Sequence, residues 1–171
     1  MTSRAQLPEL LASARVRLDD AGVPLDRHAR VVTPKRILGI PRRARLELDV
    51  PVWPLGQLLL GDDESLFAAG DTVTPREDRP IGYTSERQRA RDELRTMASR
   101  AGIPIGSAVH IDPQLLRRPG EPSLTVAGPL VEDGGVLAVR WSTMPGAALR
   151  SLANYLEERI ELLIQQRGTT R

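Results

Sequence analysis

Apolar residues recur at helical spacing in three stretches of the chain, and this pattern predicts three helices. The first helix is predicted over residues 7–21 and ends at Gly22, a residue that readily takes the left-handed conformation found after helices. The second is predicted over 85–101, with Gly102 at its end. The third and most regular pattern predicts a helix over 145–167.

Between the helices, apolar and polar residues alternate in a way that predicts strands. The segment 45–50, "RLELDV", is typical of an antiparallel strand with one face in water. "VWPLGQLLL" and "LFAAGDTV" predict a hairpin around the acidic segment 62–64, because turns favour Asp, Gly and Ser. "SAVHID" (107–112) predicts a single strand, and "LTVAGPLV" with "VLAVRW" predicts a second hairpin around "EDGG".

The order of these elements repeats along the chain. A strand, a hairpin and a helix occupy 44–101, and the same series occupies 107–167. We therefore expect an α+β fold: an antiparallel sheet built from two strand-hairpin-helix halves, with helices packed on it. A single domain is expected over 1–171, and low identity between the halves leaves a true duplication undecided.

Composition narrows the class of protein. Its 171 residues are 40% apolar and 27% charged, which is typical of one globular domain with its own core. The absence of cysteine excludes disulfides and thiolate metal sites. No stretch approaches the roughly 20 apolar residues that span a bilayer, and charges interrupt the first apolar segment. We expect a cytoplasmic protein without a membrane segment.

The positive charge is carried almost entirely by arginine. Formal net charge is only +2, and Lys35 is the sole lysine among 24 cations. One strip, 34–45, holds five cations and no acid: Lys35, Arg36, Arg42, Arg43 and Arg45. This strip is interpreted as a solvated or partner-contact surface, with anion or nucleic-acid binding as the alternative. No aromatic residues are interleaved for base stacking, so nucleic acid is not expected as a partner.

The predicted last helix has a continuous apolar face. We expect this face to pack on the protein's own sheet, and the alternative is a homodimer interface. Its members are Leu149, Leu152, Leu156, Ile160 and Leu163.

Two His-Asp pairs are the candidates for chemistry. His110 and Asp112 are two residues apart on a predicted strand and therefore share a face, and Asp26 and His28 have the same spacing. A metal or acid–base role requires the fold to bring the two segments together, which spacing alone leaves open. We expect structural histidines, no metal and no cofactor, and we interpret the acidic segment 62–64 as a turn because a calcium loop needs more oxygen ligands.

Three segments carry a family resemblance: "VWPLGQLLLGDDESLFAAG", "SERQRARDELRTMASRAG" and the ending "VLAVRW…LANYLEERIELL". From about Gly22 to Leu163 the chain resembles a family of uncharacterised proteins of high-GC Gram-positive bacteria, some of which carry an automatic label of glutaminase. Serine-dependent glutaminases have a longer chain and an S-x-x-K motif, and this sequence has neither. The resemblance therefore implies a small stand-alone domain and assigns no catalytic residue.

These observations favour a non-enzymatic role in which the chain binds a partner, a small ligand or a second copy of itself. The alternative is a small hydrolase acting on an amide or phosphate, with His110 and Asp112 as its acid–base pair. Nucleic-acid or anion binding through the 34–45 strip is the third hypothesis. The sequence names no substrate, ligand or pathway.

Overall fold

The computed structural model describes residues 2–34, 43–75, 85–140 and 148–169. The chain divides into two compact units that are interleaved along the sequence. Unit 1 consists of Met1–Leu25, Val52–Ala69 and Gln114–Arg171, and unit 2 consists of Asp26–Pro51 and Gly70–Pro113.

The described residues form helices and short strands, as expected for an α+β fold. The α-helices are α1 (Leu7–Asp20), α2 (Glu86–Arg100) and α3 (Leu152–Thr169), and a short 3-10 helix, Arg4–Gln6, precedes α1. The strands are β1 (Arg27–Val32), β2 (Arg45–Leu48), β3 (Val52–Leu55), β4 (Leu58–Gly61), β5 (Leu66–Ala68), β6 (Asp71–Val73), β7 (Val109–Ile111), β8 (Gln114–Arg117), β9 (Leu130–Asp133), β10 (Val136–Arg140) and β11 (Leu149–Ser151).

The described residues of unit 1 form two antiparallel sheets and two α-helices, α1 and α3, besides the short 3-10 helix. One sheet has the strand order β3-β4-β5-β8, and the other has the order β11-β10-β9. Apolar side chains from both sheets, α1 and α3 form one aliphatic core. Trp53 anchors this core to the chain after α1, because its indole N–H donates to the carbonyl of Val23 at 2.9 Å.

A buried tyrosine fastens α3 to the turn between β3 and β4. The hydroxyl of Tyr155 donates to the carbonyl of Leu55 at 2.8 Å and accepts the N–H of Gln57 at 2.7 Å. Gly56 lies between them with a φ of 72°, and a Cβ there would lie 2.7 Å from that hydroxyl. Glycine is therefore required both by the backbone conformation and by the close approach of the helix.

The acidic segment 62–64 is a hairpin turn, which confirms the sequence interpretation. It connects β4 to β5, and the carboxylate of Asp63 accepts the backbone N–H of Ser65 at 2.9 Å. Glu64 has a φ of 70°, as a residue in a tight turn can have. The carboxylate contact is local to the turn, and Nε of Arg15 in α1 donates to the carbonyl of Asp62 at 2.7 Å, so the segment is a bend held against α1.

The part of unit 2 that the structure describes forms one mixed sheet, and α2 packs on it. Its strand order is β2-β1-β7-β6, and β1 and β7 run parallel while the other pairs are antiparallel. The apolar face of the sheet packs with Met97 and Ala98 of α2. That face includes Ala29, Val109 and Ile111.

The structure confirms the α+β class and the first two helices, and it differs from the sequence prediction in its hairpins, its sheets and its last helix. The predicted arms "VWPLGQLLL" and "LFAAGDTV" each contain two strands, β3 with β4 and β5 with β6. The described strands form three sheets, and one of their pairs, β1 with β7, is parallel, because strands pair over long sequence separations that periodicity does not report. The last helix begins at Leu152, not at 145: Leu149–Ser151 pairs with β10 as β11. The single-domain organisation stays a prediction.

Candidate functional site

An arginine is buried in unit 1 at the end of β8. Arg117 is opposite Leu66 of β5 in the sheet register, and on the other side of β8 the N–H of Thr125 donates to the carbonyl of Leu116 at 2.8 Å. The backbone around Arg117 is thus held from two sides. Only 6% of Arg117 is exposed.

The guanidinium of Arg117 has no counter-charge among the described residues. Its Nη1 is buried without a hydrogen-bond partner, and no ion pair or hydrogen bond to this side chain is present in the described part of the chain. The neighbouring arginine is in the ordinary situation: Arg118 is exposed and lies 3.9 Å from the carboxylate of Glu121. Burial without pairing therefore distinguishes Arg117 from its neighbour.

The burial of Arg117 without a counter-charge among the described residues destabilises the folded state, and the same feature suits the side chain to binding an anion. Burying a charged group without a partner costs several kcal/mol, and arginine does not escape by losing its proton. The planar guanidinium presents donors that match a carboxylate or a phosphate in a two-pronged contact. A ligand carrying such a group would supply the missing charge.

A second polar cluster lies on the face of the unit 2 sheet opposite its apolar face. His28 of β1 is the register partner of His110 of β7, and His110 is the register partner of Thr72 of β6. Register partners project from the same side of a sheet. The fold therefore answers the question left open by the sequence, because the two histidines are direct neighbours across parallel strands.

His110 connects a carboxylate to a hydroxyl. Its Nε2 lies 3.0 Å from Oδ2 of Asp26, and its Nδ1 lies 3.1 Å from Oγ1 of Thr72. An ionised carboxylate only accepts, so the Nε2 that faces it carries a hydrogen. In the neutral ring Nδ1 then accepts, and the hydroxyl of Thr72 donates to it. His110 is 5% exposed, whereas Thr72 is exposed to solvent.

His28 is buried beside His110, and the surroundings of His28 disfavour its protonated form. Burial lowers the pKa of His28, and Arg30 and His110 act in the same direction. Asp49 and Asp112 partly oppose the shift. The imidazole of His28 is therefore held neutral near pH 7.

The predicted pairing of His110 with Asp112 is not observed. The carboxylate of Asp112 accepts the backbone N–H of Val31 at 2.9 Å, and its φ is 45°. Asp112 therefore fixes the backbone at the end of β7, and the carboxylate that contacts His110 is Asp26. Among the residues that the structure describes, no group of three or more His, Cys, Asp or Glu could hold a metal ion.

The basic strip is only partly within the described residues. Lys35, Arg36 and Arg42 lie outside them. Arg43 is exposed, and Arg45 pairs with Glu47 at 2.7 Å. The carboxylate of Glu47 already neutralises one cation of the strip, and anion or nucleic-acid binding there stays a prediction.

The apolar face of the last helix is used inside unit 1. Leu152, Leu156 and Ile160 are fully buried in the unit's core, and Leu163 is half-buried against it. Leu149 is not on this face at all, since it belongs to β11 and is exposed. A homodimer formed through these buried residues would require the core of unit 1 to open. The face therefore packs within its own unit.

Sequence patterns did not single out Arg117, Thr72 or the contact between Asp26 and His110. Asp26 and His110 are 84 positions apart, and only the parallel pairing of β1 with β7 makes them neighbours. The one sequence signal for Arg117 is its position directly after the apolar pair in "QLLRR", and alternation does not identify it, because Leu116 and Arg117 are both buried.

No family model, curated protein or solved structure compared with this chain matches it. The resemblance to the high-GC Gram-positive family therefore stays a prediction. Among the described residues no helix is both long and apolar enough to cross a bilayer.

Proposed function

We propose that this protein binds a small anionic ligand without transforming it, and that Arg117 holds the ligand's carboxylate or phosphate group. The observation that carries the proposal is the Nη1 of the buried Arg117, which has no hydrogen-bond partner among the described residues. This narrows the binding role expected from the sequence to one chemistry and one residue.

A buried guanidinium can be compensated by acceptor oxygens or by an opposite charge. Hydrogen bonds to backbone carbonyls would satisfy it, but the described residues offer none to Arg117. An anion supplies both the opposite charge and the acceptor oxygens, and charge-assisted hydrogen bonds of this kind are about twice as strong as neutral ones. Arginine is favoured over lysine for such planar recognition.

The test is a thermal-unfolding screen in a buffer without oxyanions, with phosphate, sulfate, acetate and citrate added separately. We expect at least one of these anions to raise the midpoint of wild type. Arg117→Met should abolish that rise, and Arg118→Met, the exposed neighbour, should keep it. Calorimetric titration of the active anion then gives its affinity for each variant.

Two outcomes would contradict the proposal. Wild type and Arg117→Met could respond alike to every anion, which would place binding elsewhere, for example at the 34–45 strip. Alternatively, wild type could respond to none of them, which would mean that water or the protein itself satisfies the guanidinium. Self-association and nucleic-acid binding remain the other sequence-based hypotheses, and sedimentation at several concentrations and salt-dependent nucleic-acid titration address them separately.

A further inference from the structure

We propose that Thr72 is a nucleophile activated by His110, and that unit 2 transfers an acyl group from an ester to water. This activity is separate from ligand binding at Arg117, which belongs to unit 1. It also replaces the residues that the sequence nominated for hydrolysis, since Asp26 takes the place of Asp112 beside the imidazole.

Three groups follow one another in the order that nucleophilic catalysis requires. A hydroxyl, an imidazole and a carboxylate are connected through contacts of 3.1 Å and 3.0 Å. A nucleophile within hydrogen-bond reach of a base, which is itself oriented by a third group, is the arrangement that activates weak nucleophiles. The carboxylate of Asp26 fixes the ring tautomer that leaves Nδ1 free to take the hydroxyl proton.

The nucleophile is exposed and the base is buried, as an acyl-transfer site requires. Thr72 faces solvent and can meet a substrate, while His110 is buried and its nitrogens contact only Thr72 and Asp26 among the hydrogen bonds described. Among the described strands, β6 is at the edge of its sheet. Edge strands present unpaired backbone N–H groups, which are the donors that stabilise an oxyanion.

The reaction balances with water as the only co-reactant. Oγ1 of Thr72 attacks the carbonyl carbon of the ester, and its proton passes to Nδ1 of His110. Asp26 stabilises the imidazolium, which then protonates the departing alkoxide as the ester bond breaks and an acyl-threonine forms. A water molecule attacks this acyl group, gives one proton to His110, and releases the acid as the proton returns to Thr72.

The test compares wild type with Thr72→Val and Thr74→Val on p-nitrophenyl acetate. Valine has nearly the same shape as threonine without the hydroxyl, and Thr74 is an exposed threonine two residues further along, outside β6. We expect Thr72→Val to lose activity by about 100-fold or more and Thr74→Val to keep it. An acid-quenched reaction of wild type should carry an acetyl group on the peptide that contains Thr72.

Asp26 is a positioning residue in this mechanism, and its role has its own readout. An amide at position 26 can donate to Nε2, which leaves Nδ1 with the hydrogen and unable to accept from Thr72. Asp26→Asn should therefore lower kcat by about 1,000-fold or more while KM changes little. Circular dichroism of each variant checks that the fold is kept.

Three results would overturn the inference. Wild type could hydrolyse the ester no faster than Thr72→Val. The acetyl group could be found on another residue. Asp26→Asn could retain the wild-type kcat, which would show that the three groups serve only to stabilise the sheet.

Discussion

Removing the Arg117 guanidinium should make the ligand-free protein more stable, which is the reverse of what deleting a buried side chain normally does. Arg117→Met replaces the buried cation by an apolar side chain with a similar unbranched stem. Most substitutions at buried positions destabilise a protein by about 1 kcal/mol or more. A gain in stability is therefore a distinctive outcome, because a side chain that served only to fill the interior would show a loss when replaced.

The magnitude follows from the state of the guanidinium. Arg117 is only 6% exposed as a residue, and its Nη1 is buried without a hydrogen-bond partner among the described residues. An unmade hydrogen bond at a buried donor costs about 1–3 kcal/mol, and replacing buried charges by apolar residues gains about 1–4 kcal/mol. We therefore expect Arg117→Met to gain about 1–4 kcal/mol, or a midpoint rise of about 2–4 °C per kcal/mol for a chain of this size.

Adding an anion should reverse the difference in stability between wild type and Arg117→Met. At a concentration 100 times its dissociation constant, a ligand that binds only the folded state adds about 2.7 kcal/mol to wild type. The variant should gain nothing from the same addition, so the gap between the two proteins should close or change sign. Urea unfolding with and without phosphate, sulfate, acetate or citrate measures both effects, and Arg118→Met should stay within about 0.5 kcal/mol of wild type.

A loss of stability in Arg117→Met would refute this prediction if it exceeded about 1 kcal/mol in the absence of oxyanions. That result would mean that the guanidinium stabilises the folded state through contacts already satisfied, and Arg117 would be a structural residue with no demand for a ligand.

Other predictions concern individual contacts. Because burial lowers the pKa of His28, protonation of this residue favours unfolding. Its contribution to the free energy of unfolding should be fully present above about pH 6.5 and should be lost as the pH falls toward the lower native pKa. His28→Leu should flatten this pH dependence, measured by urea unfolding. Tyr155→Phe removes a hydroxyl with two backbone partners and should lower the free energy of unfolding by about 1–3 kcal/mol. Leu156→Ala should lower it by about 2–5 kcal/mol, whereas Leu162→Ala, at 38% exposure, should change it by less than about 1 kcal/mol, both measured by denaturant unfolding.

Local structure was predictable because local rules determine it. The helix over 7–21 and the helix over 85–101 match α1 and α2 within a residue at each end, since apolar spacing and the glycines that follow define them. The acidic turn and the Gly134–Gly135 turn were equally predictable, because each depends on a few adjacent residues. The apolar pattern of the last helix includes Leu149, but Leu149 lies in β11 and α3 begins only at Leu152, while residues 145–147 lie outside the described part of the chain.

The division into two units was not predictable from these patterns. Sequence order suggested that each strand, hairpin and helix series forms one half, but β3, β4 and β5 belong to unit 1 while α2, which follows them, belongs to unit 2. The pairing of β5 with β8 and of β1 with β7 links segments separated by many residues. Alternation shows that a segment has two faces, but it carries no information on which segment lies beside it.

The same limit applies to the acid–base pair, because the sequence pattern favours His110 with Asp112, whereas the structure places Asp26 beside the imidazole. Residues two apart on a strand share a face, but a rise of about 3.3 Å per residue separates their backbones by about 6.6 Å. Directly opposite residues on neighbouring strands are only about 4.5–5.5 Å apart. The hydrogen-bond partners of a strand residue are therefore more often found across the sheet, as Thr72 is, than along the same strand. Asp26 is not directly opposite His110 but diagonal to it, two residues before His28, and the imidazole is long enough to reach its carboxylate at 3.0 Å. Substituting Asp26 should therefore abolish ester hydrolysis, and substituting Asp112 should leave it unchanged. The opposite result, with activity lost in the Asp112 variant and kept in the Asp26 variant, would show that Asp112 is the carboxylate that acts with His110.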